Sequence, residues 1–434
     1  MTHRLIITIT VFIALTGLVF SGSVGASTDI QRFPPPEFKE SGHELPVTTV
    51  PKPRADLYEY IDVAALLLAL SLASYLTLKK RSRRGIFILS LVSLFYFGFW
   101  RKGCVCAIGA TQNIALSLFD SGYTVPIAVV AFFTLPLIFT LFFGRTFCAS
   151  VCPLGAIQDV VLLRPLKVPS WLEHALRGLP YLYLGTAVLF ASTGSAFIIC
   201  QYDPFVAFFR RSGSFTMLIL GGCFLLIGFF VGRPYCRYLC PYGVILGWMS
   251  RASKWHATIT PDECIKCRLC EDSCPFGAIQ KPTPESMSHS RTEGKKRLTA
   301  LMILLPIFIV LGIFLGMRVG APLSRVDLTV SLAHRVTLEN AGEVEGSTDA
   351  SDAFRETGRP VSELYQEAQS IDRKFRIGGG ILGAFLGLAL GMKMIQLSVR
   401  RSRTDYQTNR TTCLSCGRCF SYCPVEKVRL KENK

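Results

Sequence analysis

Histidine is scarce in this sequence: six residues in 434, none of them in a C-x-x-C-H motif. Covalent c-type haem is thereby excluded, and no pair of imidazoles sits in the apolar stretches to hold a b-type haem. There is no P-loop and no Ser–His–Asp candidate set, so no catalytic residue is assigned. Acidic residues are few, 30 against 47 Lys and Arg, for a formal charge of +17. A balance this basic would suit nucleic acid, but no nucleic-acid-binding motif accompanies it. The Lys and Arg gather at the ends of apolar runs, where membrane topology requires them. Half of the residues are hydrophobic and the mean hydropathy is +0.39, too apolar for a soluble chain of this length.

What the chain has in excess is cysteine, sixteen residues in ligand-like groups. Cys264, Cys267, Cys270 and Cys274, followed by Pro275, form the bacterial ferredoxin run C-x2-C-x2-C-x3-C-P. Cys413, Cys416, Cys419 and Cys423, followed by Pro424, repeat it with the same spacing. Zinc knuckles usually set two C-x-x-C pairs well apart, so two compact four-cysteine runs favour two [4Fe-4S] clusters. In two-cluster ferredoxins the fourth cysteine of each run ligates the other cluster. Cys423 is then expected with Cys264, Cys267 and Cys270, and Cys274 with Cys413, Cys416 and Cys419.

A second repeat precedes the runs. Gly144, Arg145, Cys148, Cys152, Pro153, Gly155 and Ile157 recur as Gly232, Arg233, Cys236, Cys240, Pro241, Gly243 and Ile245, at a constant offset of 88 residues (Gly144 to Gly232). Two C-x3-C-P loops, each just after an inward span, suit one shared tetrathiolate, a further iron–sulfur centre held by Cys148, Cys152, Cys236 and Cys240. Two helix-start turns with incidental cysteines are the alternative. A degenerate third copy runs from Arg101 through Cys104 and Cys106 to Gln112, its Cys106, Gly109, Ala110 and Gln112 matching Cys152, Gly155, Ala156 and Gln158. Cys200 comes to the same outer face. A metal, a disulfide and free thiols all remain open there. Cys223 reads as a small buried apolar residue.

The expected fold is mostly α: a polytopic helical membrane protein of about seven spans after a signal peptide, with small cytoplasmic α+β ferredoxin-type modules. Residues 1–26 are a secretory signal or an uncleaved first helix. Residues 27–57 form a Pro-rich outer strap. The membrane core covers 58–252, with spans at 60–78, 85–100, 125–143, 179–199 and 215–231. The first ferredoxin module (253–285) and a basic linker (286–297) follow. A span in 298–318, an outer segment at 319–375, a Gly-rich span in 376–397 and the second module at 398–434 complete the chain. Lys79 to Arg84 anchors the cytoplasmic side, while Arg101-Lys102 and Arg210-Arg211 fall on the outer side against the positive-inside rule. Gly379, Gly383, Gly387 and Gly391 form a small-residue face for close helix packing. Leu364, Tyr365 and Ala368 mark one face of a helix in the outer segment.

These loops and runs together resemble the membrane polyferredoxins of the NapH, NosR and CcoG type, over roughly residues 85–285 and the last run. The resemblance implies a bacterial inner-membrane protein passing single electrons between a cytoplasmic or quinol donor and a periplasmic oxidoreductase. It implies cluster ligation by the eight ferredoxin cysteines and a redox or structural role for the C-x3-C-P cysteines. An assembly or regulatory factor that reduces a metal centre of a partner enzyme is the alternative, and a quinone partner stays open. Such a chain is an electron-transfer subunit rather than a stand-alone catalyst. Ile108-Gly109-Ala110-Thr111 is similar to a covalent-flavin motif, but Ile108 stands where Ser or Thr is required, so flavin is not expected.

Overall fold

The computed structural model describes residues 56–103, 106–211, 213–259, 264–283, 291–399 and 403–432. The signal over 1–26 and nearly all of the strap over 27–57 lie outside the described residues. The described chain is almost wholly helical, with one two-stranded sheet. Four helices are long and apolar enough to cross a membrane: Leu57–Leu78, Arg83–Trp100, Thr292–Ser324 and Val361–Ser398. The other expected spans are shorter. Ile127–Phe143 and Phe215–Gly228 have 17 and 14 residues. The stretch over 179–199 is a helix only to Ser192, where Gly194 turns the chain at φ +75° before a short helix Ile198–Gln201. Fourteen residues rise about 21 Å at 1.5 Å each, short of a hydrocarbon core about 30 Å thick.

A helix absent from the expected spans, Ala107–Phe119, packs against Ile127–Phe143 and Leu179–Ser192. It was hidden because its 13 residues are too few for a span and no proline marks its start. The irregular backbone that feeds these half-length helices lines a cavity, which is where non-helical chain is tolerated at membrane depth.

The helices Arg291–Ser324 and Val361–Ser398 pack along most of their length. Glycine lets their backbones touch: a Cβ on Gly383 would lie 1.8 Å from the carbonyl oxygen of Gly312, and one on Gly316 would lie 2.0 Å from that of Gly379. The expected glycine face therefore meets a matching one at Gly312 and Gly316. Beyond the apolar stretch, Leu364 and Ala368 of Val361–Ser398 join Ala333 and Val336 of Leu328–Ala341 and Phe354 of Asp349–Glu356 in a small cluster, with Tyr365 against it. Asp327 caps Leu328–Ala341 by accepting from Thr329 N at 2.9 Å, and Thr348 and Ser351 form a reciprocal cap on Asp349–Glu356.

The two ferredoxin runs fold as one module. The strands Ile279–Gln280 and Gln407–Thr408 pair antiparallel, Ile279 opposite Thr408. The helix Leu269–Ser273 packs on Arg418–Tyr422. The hairpin of long helices is what returns the chain to this face. The basic loop after the first helix grips the module: Arg81 donates to the carbonyls of Thr258 and Ile259, pairs with Glu426 and lies over Phe420. Arg83 donates to the carbonyl of Cys416 at 2.9 Å.

Candidate functional site

Each ferredoxin run bends its backbone in the same two places. Lys266 and Arg268 have φ of +52° and +64°, and the matching Ser415 and Gly417 have +53° and +77°. Paired left-handed residues turn successive N–H groups inward, a concavity suited to an anionic group. Cys270 lies within electrostatic range of Cys264 and Cys267. Cys413 and Cys419 lie within range of Cys416 and of Cys274, so the fourth cysteine of the first run sits with the first three of the second. Cys423 ends the helix Arg418–Tyr422, which packs on the helix that carries Cys270. Burial pushes the Cys413 thiol up to about 12, so binding a cation there must displace protons. Cys267 is exposed, whereas Cys270, Cys416 and Cys419 are buried.

The C-x3-C-P loops converge as well. Cys152 lies within electrostatic range of Cys236, Cys148 and Cys240. Cys152 and Cys240 each occupy the N-cap of a helix, Pro153–Val160 and Pro241–Arg251, with Pro at the first helical position. Their thiols receive the N–H groups of Gly155 and Gly243. The motif glycines have a second use. A Cβ on Gly155 would lie 3.0 Å from Arg233 Nη1, and one on Gly243 would lie 3.2 Å from Arg145 Nη2. Each loop thus makes room for the other loop's arginine, a pseudo-two-fold exchange. Arg145 Nη2 is 3.7 Å from Cys148 Sγ, and Gln158 donates to Cys236 Sγ at 3.3 Å.

Arg233 is fully buried and donates to the carbonyls of Cys148 and Ala149. Its counter-charge is Asp159, 3.2 Å away, which also pairs with Arg83 at 3.1 Å and Arg418 at 3.6 Å. Burial alone would raise this carboxyl, but Arg233, Arg83 and Arg418 together hold it down at about 2. Sequence reasoning missed Asp159. Its only signal was a lone acid in the apolar helix that follows a C-P turn.

The membrane site abuts the second ferredoxin set rather than the first. Cys148 packs in one cluster with Cys274, Cys413 and Phe276. Arg145 donates to the carbonyl of Thr411 at 3.1 Å, and Arg237 to that of Pro275 at 3.0 Å. Of the outer cysteines, Cys104 lies outside the described residues. Cys106 and Cys200 line one cavity with Asp203, whose walls also hold Arg101 and Arg210. Arg101 pairs at 2.6 Å with buried Asp62, and Arg210 acts electrostatically on buried Asp203, so both arginines have buried acids as counter-charges. Cys223 is half-buried in Phe215–Gly228. Among the described residues no three Cys, His, Asp or Glu are grouped to hold a single metal ion.

The comparisons agree with this geometry. A 4Fe-4S binding domain family matches residues 125–170 and again 214–259, and each segment contains one C-x3-C-P loop. A second 4Fe-4S binding domain family matches residues 257–280, the first ferredoxin run. The chain is similar to an uncharacterized protein of Methanocaldococcus jannaschii, 29% identical over 42% of this chain and 77% of that one. It is similar to the putative electron transport protein YccM of Escherichia coli, 28% identical over 32% of this chain and 43% of YccM. It is similar also to the regulatory protein NosR of Pseudomonas aeruginosa, 31% identical over 32% of this chain and 21% of NosR. The match thus spans less than half of YccM and about a fifth of NosR. No solved structure matches the chain. The chain thus carries segments that match two 4Fe-4S binding domain families, and it is similar over part of its length to YccM and NosR.

Proposed function

We propose that this chain passes single electrons across part of a bacterial inner membrane, from a ferredoxin module on the cytoplasmic side toward a periplasmic redox partner. The reading assigns two [4Fe-4S] clusters to the ferredoxin cysteines: one to Cys264, Cys267, Cys270 and Cys423, the other to Cys413, Cys416, Cys419 and Cys274. It assigns a further iron–sulfur centre to Cys148, Cys152, Cys236 and Cys240. Such centres, when bound, supply one-electron chemistry at potentials set by ligand charge and hydrogen bonds. The observation that carries the reading is that Cys148 packs against the same buried cluster, Phe276, Ala278, Leu414 and Cys416, as Cys274 and Cys413. The exposed edge at Cys267 offers a docking place for a soluble partner. Arg145 and Arg233 stand beside the membrane thiols and offset the negative charge those thiols carry when ionised. The related NosR is a regulatory protein, which favours a second reading in which the same relay reduces a metal centre of a partner enzyme.

The test is Cys274→Ser in the full chain, read by electron paramagnetic resonance of the reduced protein. It is expected to abolish the signal of the Cys413 set and leave that of the Cys264 set. Loss of the Cys264 signal instead would mean that each run holds its own cube. Orientation has its own check. In intact, iron-starved cells a membrane-impermeant thiol reagent should label Cys200 and spare Cys267 and Cys416; labelling of Cys416 from outside would reverse the topology.

A further inference from the structure

The two C-x3-C-P loops match in sequence but differ in charge balance. Arg145 and Arg233 hold equivalent positions, 88 residues apart. Both are buried, at 7% and 0% exposure, and each reaches across to the other loop's glycine, Arg145 to Gly243 and Arg233 to Gly155. Arg233 finds a carboxylate on the opposite loop's helix, Asp159 of Pro153–Val160, at 3.2 Å. By the same repeat Arg145 would find its carboxylate on Pro241–Arg251, at the residue 88 positions after Asp159. That residue is Gly247. The space goes to the second ferredoxin run instead: a Cβ on Gly247 would lie 3.3 Å from Thr411 Cγ2 and 3.6 Å from the Thr411 carbonyl oxygen. That same oxygen accepts from Arg145 Nη1 at 3.1 Å.

A neutral carbonyl does not balance a buried guanidinium, and an unpaired charge held away from water is costly. Among the described residues Arg145 forms no ion pair with a carboxylate, and its Nε has no hydrogen-bond partner. Cys148 Sγ lies 3.7 Å from its Nη2. Cys236, Cys240 and Cys413 also lie within its electrostatic range. Thr411 stands two residues before Cys413, so one cation faces three membrane thiols and the first thiol of the second ferredoxin set. Arg83 and Arg418, which share Asp159 with Arg233, have side chains 19% and 21% exposed, so solvent and salt screen them more than they screen Arg145.

We propose that Arg145 is the uncompensated buried cation shared by the C-x3-C-P site and the second ferredoxin set, a positioning residue whose counter-charge is the ionised thiols of both. It rests on the reading of both sites as iron–sulfur sites and deepens it: the pseudo-equivalent arginines have different roles. Arg233 and Asp159 form a pair of no net charge that joins the loops. Arg145 carries a full positive charge to the contact between the two sites. A cation beside thiolate ligands favours the more negative, reduced state, so Arg145 raises the reduction potential on both sides of that contact.

The experiment is a redox titration of the full chain, purified without oxygen and followed by electron paramagnetic resonance. Arg145→Met should lower the potentials of the C-x3-C-P site and of the Cys413 set by the equivalent of about tenfold in the one-electron equilibrium, about 59 mV. The Cys264 set should stay where it is, and its signal reports that the chain has folded. Arg145→Lys keeps the charge and should restore most of the shift, which a purely structural role would not. The double variant Arg233→Met, Asp159→Leu removes the equivalent arginine together with its carboxylate, and should move either potential by less than about threefold, or about 30 mV. A parent with no signal from the membrane site would refute the C-x3-C-P reading alone, and Arg145 would still have to move the Cys413 set. Unchanged potentials in Arg145→Met would overturn the proposal. So would an Arg145→Lys shift as large as that of Arg145→Met, or an equal fall in the double variant.

Discussion

Replacing Gly383 by Ala should separate the two long helices and unseat the second ferredoxin run. The added Cβ would sit 1.8 Å from the carbonyl oxygen of Gly312 and 2.5 Å from its carbonyl carbon. Both obstacles are backbone, so no side chain can swing away, and the helices must part along a seam that also holds Gly316 against Gly379. Overpacking of this kind costs about 3 kcal/mol at the upper end. Helix propensity runs the other way, favouring Ala over Gly by about 1 kcal/mol. Gly294 supplies the control, because a Cβ there meets nothing within 4 Å. Gly294→Ala should be neutral or stabilising and Gly383→Ala clearly destabilising in detergent unfolding. The consequence reaches the site, since Val361–Ser398 is the element that brings Cys413 back to the module. Iron in the second set should fall together with stability. Equal behaviour of the two variants would mean that the glycines merely reflect membrane composition.

That seam was half legible in the sequence. The four-residue spacing of Gly379, Gly383, Gly387 and Gly391 stands out in an apolar run, whereas Gly312 and Gly316 are only two glycines and gain meaning from the partner helix. The ferredoxin runs were legible because their ligand spacing is nearly the whole of their local structure. The doubled C-x3-C-P loop was legible as a repeat, but what its glycines and arginines do was not. Gly155 and Gly243 make room for arginines from the opposite loop, contacts between positions 78 and 98 residues apart. Arg101 and Arg210 looked misplaced by the positive-inside rule, which counts charges and cannot see a buried carboxylate. Their counter-charges, Asp62 and Asp203, are single acids in apolar surroundings. No periodicity or motif announces such residues; only the tertiary fold pairs them.

Arg233→Met should be among the most damaging single substitutions in the membrane core. Arg233 is 0% exposed, and its removal leaves Asp159 buried with part of its counter-charge gone. Breaking a buried pair from one side costs about 3–5 kcal/mol. Arg83 and Arg418 remain near Asp159, so the lower end of that range applies. The double variant Arg233→Met, Asp159→Leu should recover much of the loss, because no charge is then stranded and the side-chain volumes are similar. The pH dependence fixes the sign. In the parent, burial opposes ionisation of Asp159 and the three arginines overcome it, holding the carboxyl at about 2 against an ordinary 3.8. A depressed carboxyl contributes stability that is present above its unfolded value and lost as pH falls through its folded value. The parent should therefore lose this contribution between about pH 4 and pH 2. Without Arg233 the burial effect gains weight and the carboxyl rises, so the variant's deficit should be largest at neutral pH and shrink on acidification. Unfolding of the iron-free protein at several pH values measures this. A deficit that is flat with pH, or a double variant no better than the single one, would remove Asp159 as the partner that holds Arg233 beside the thiols.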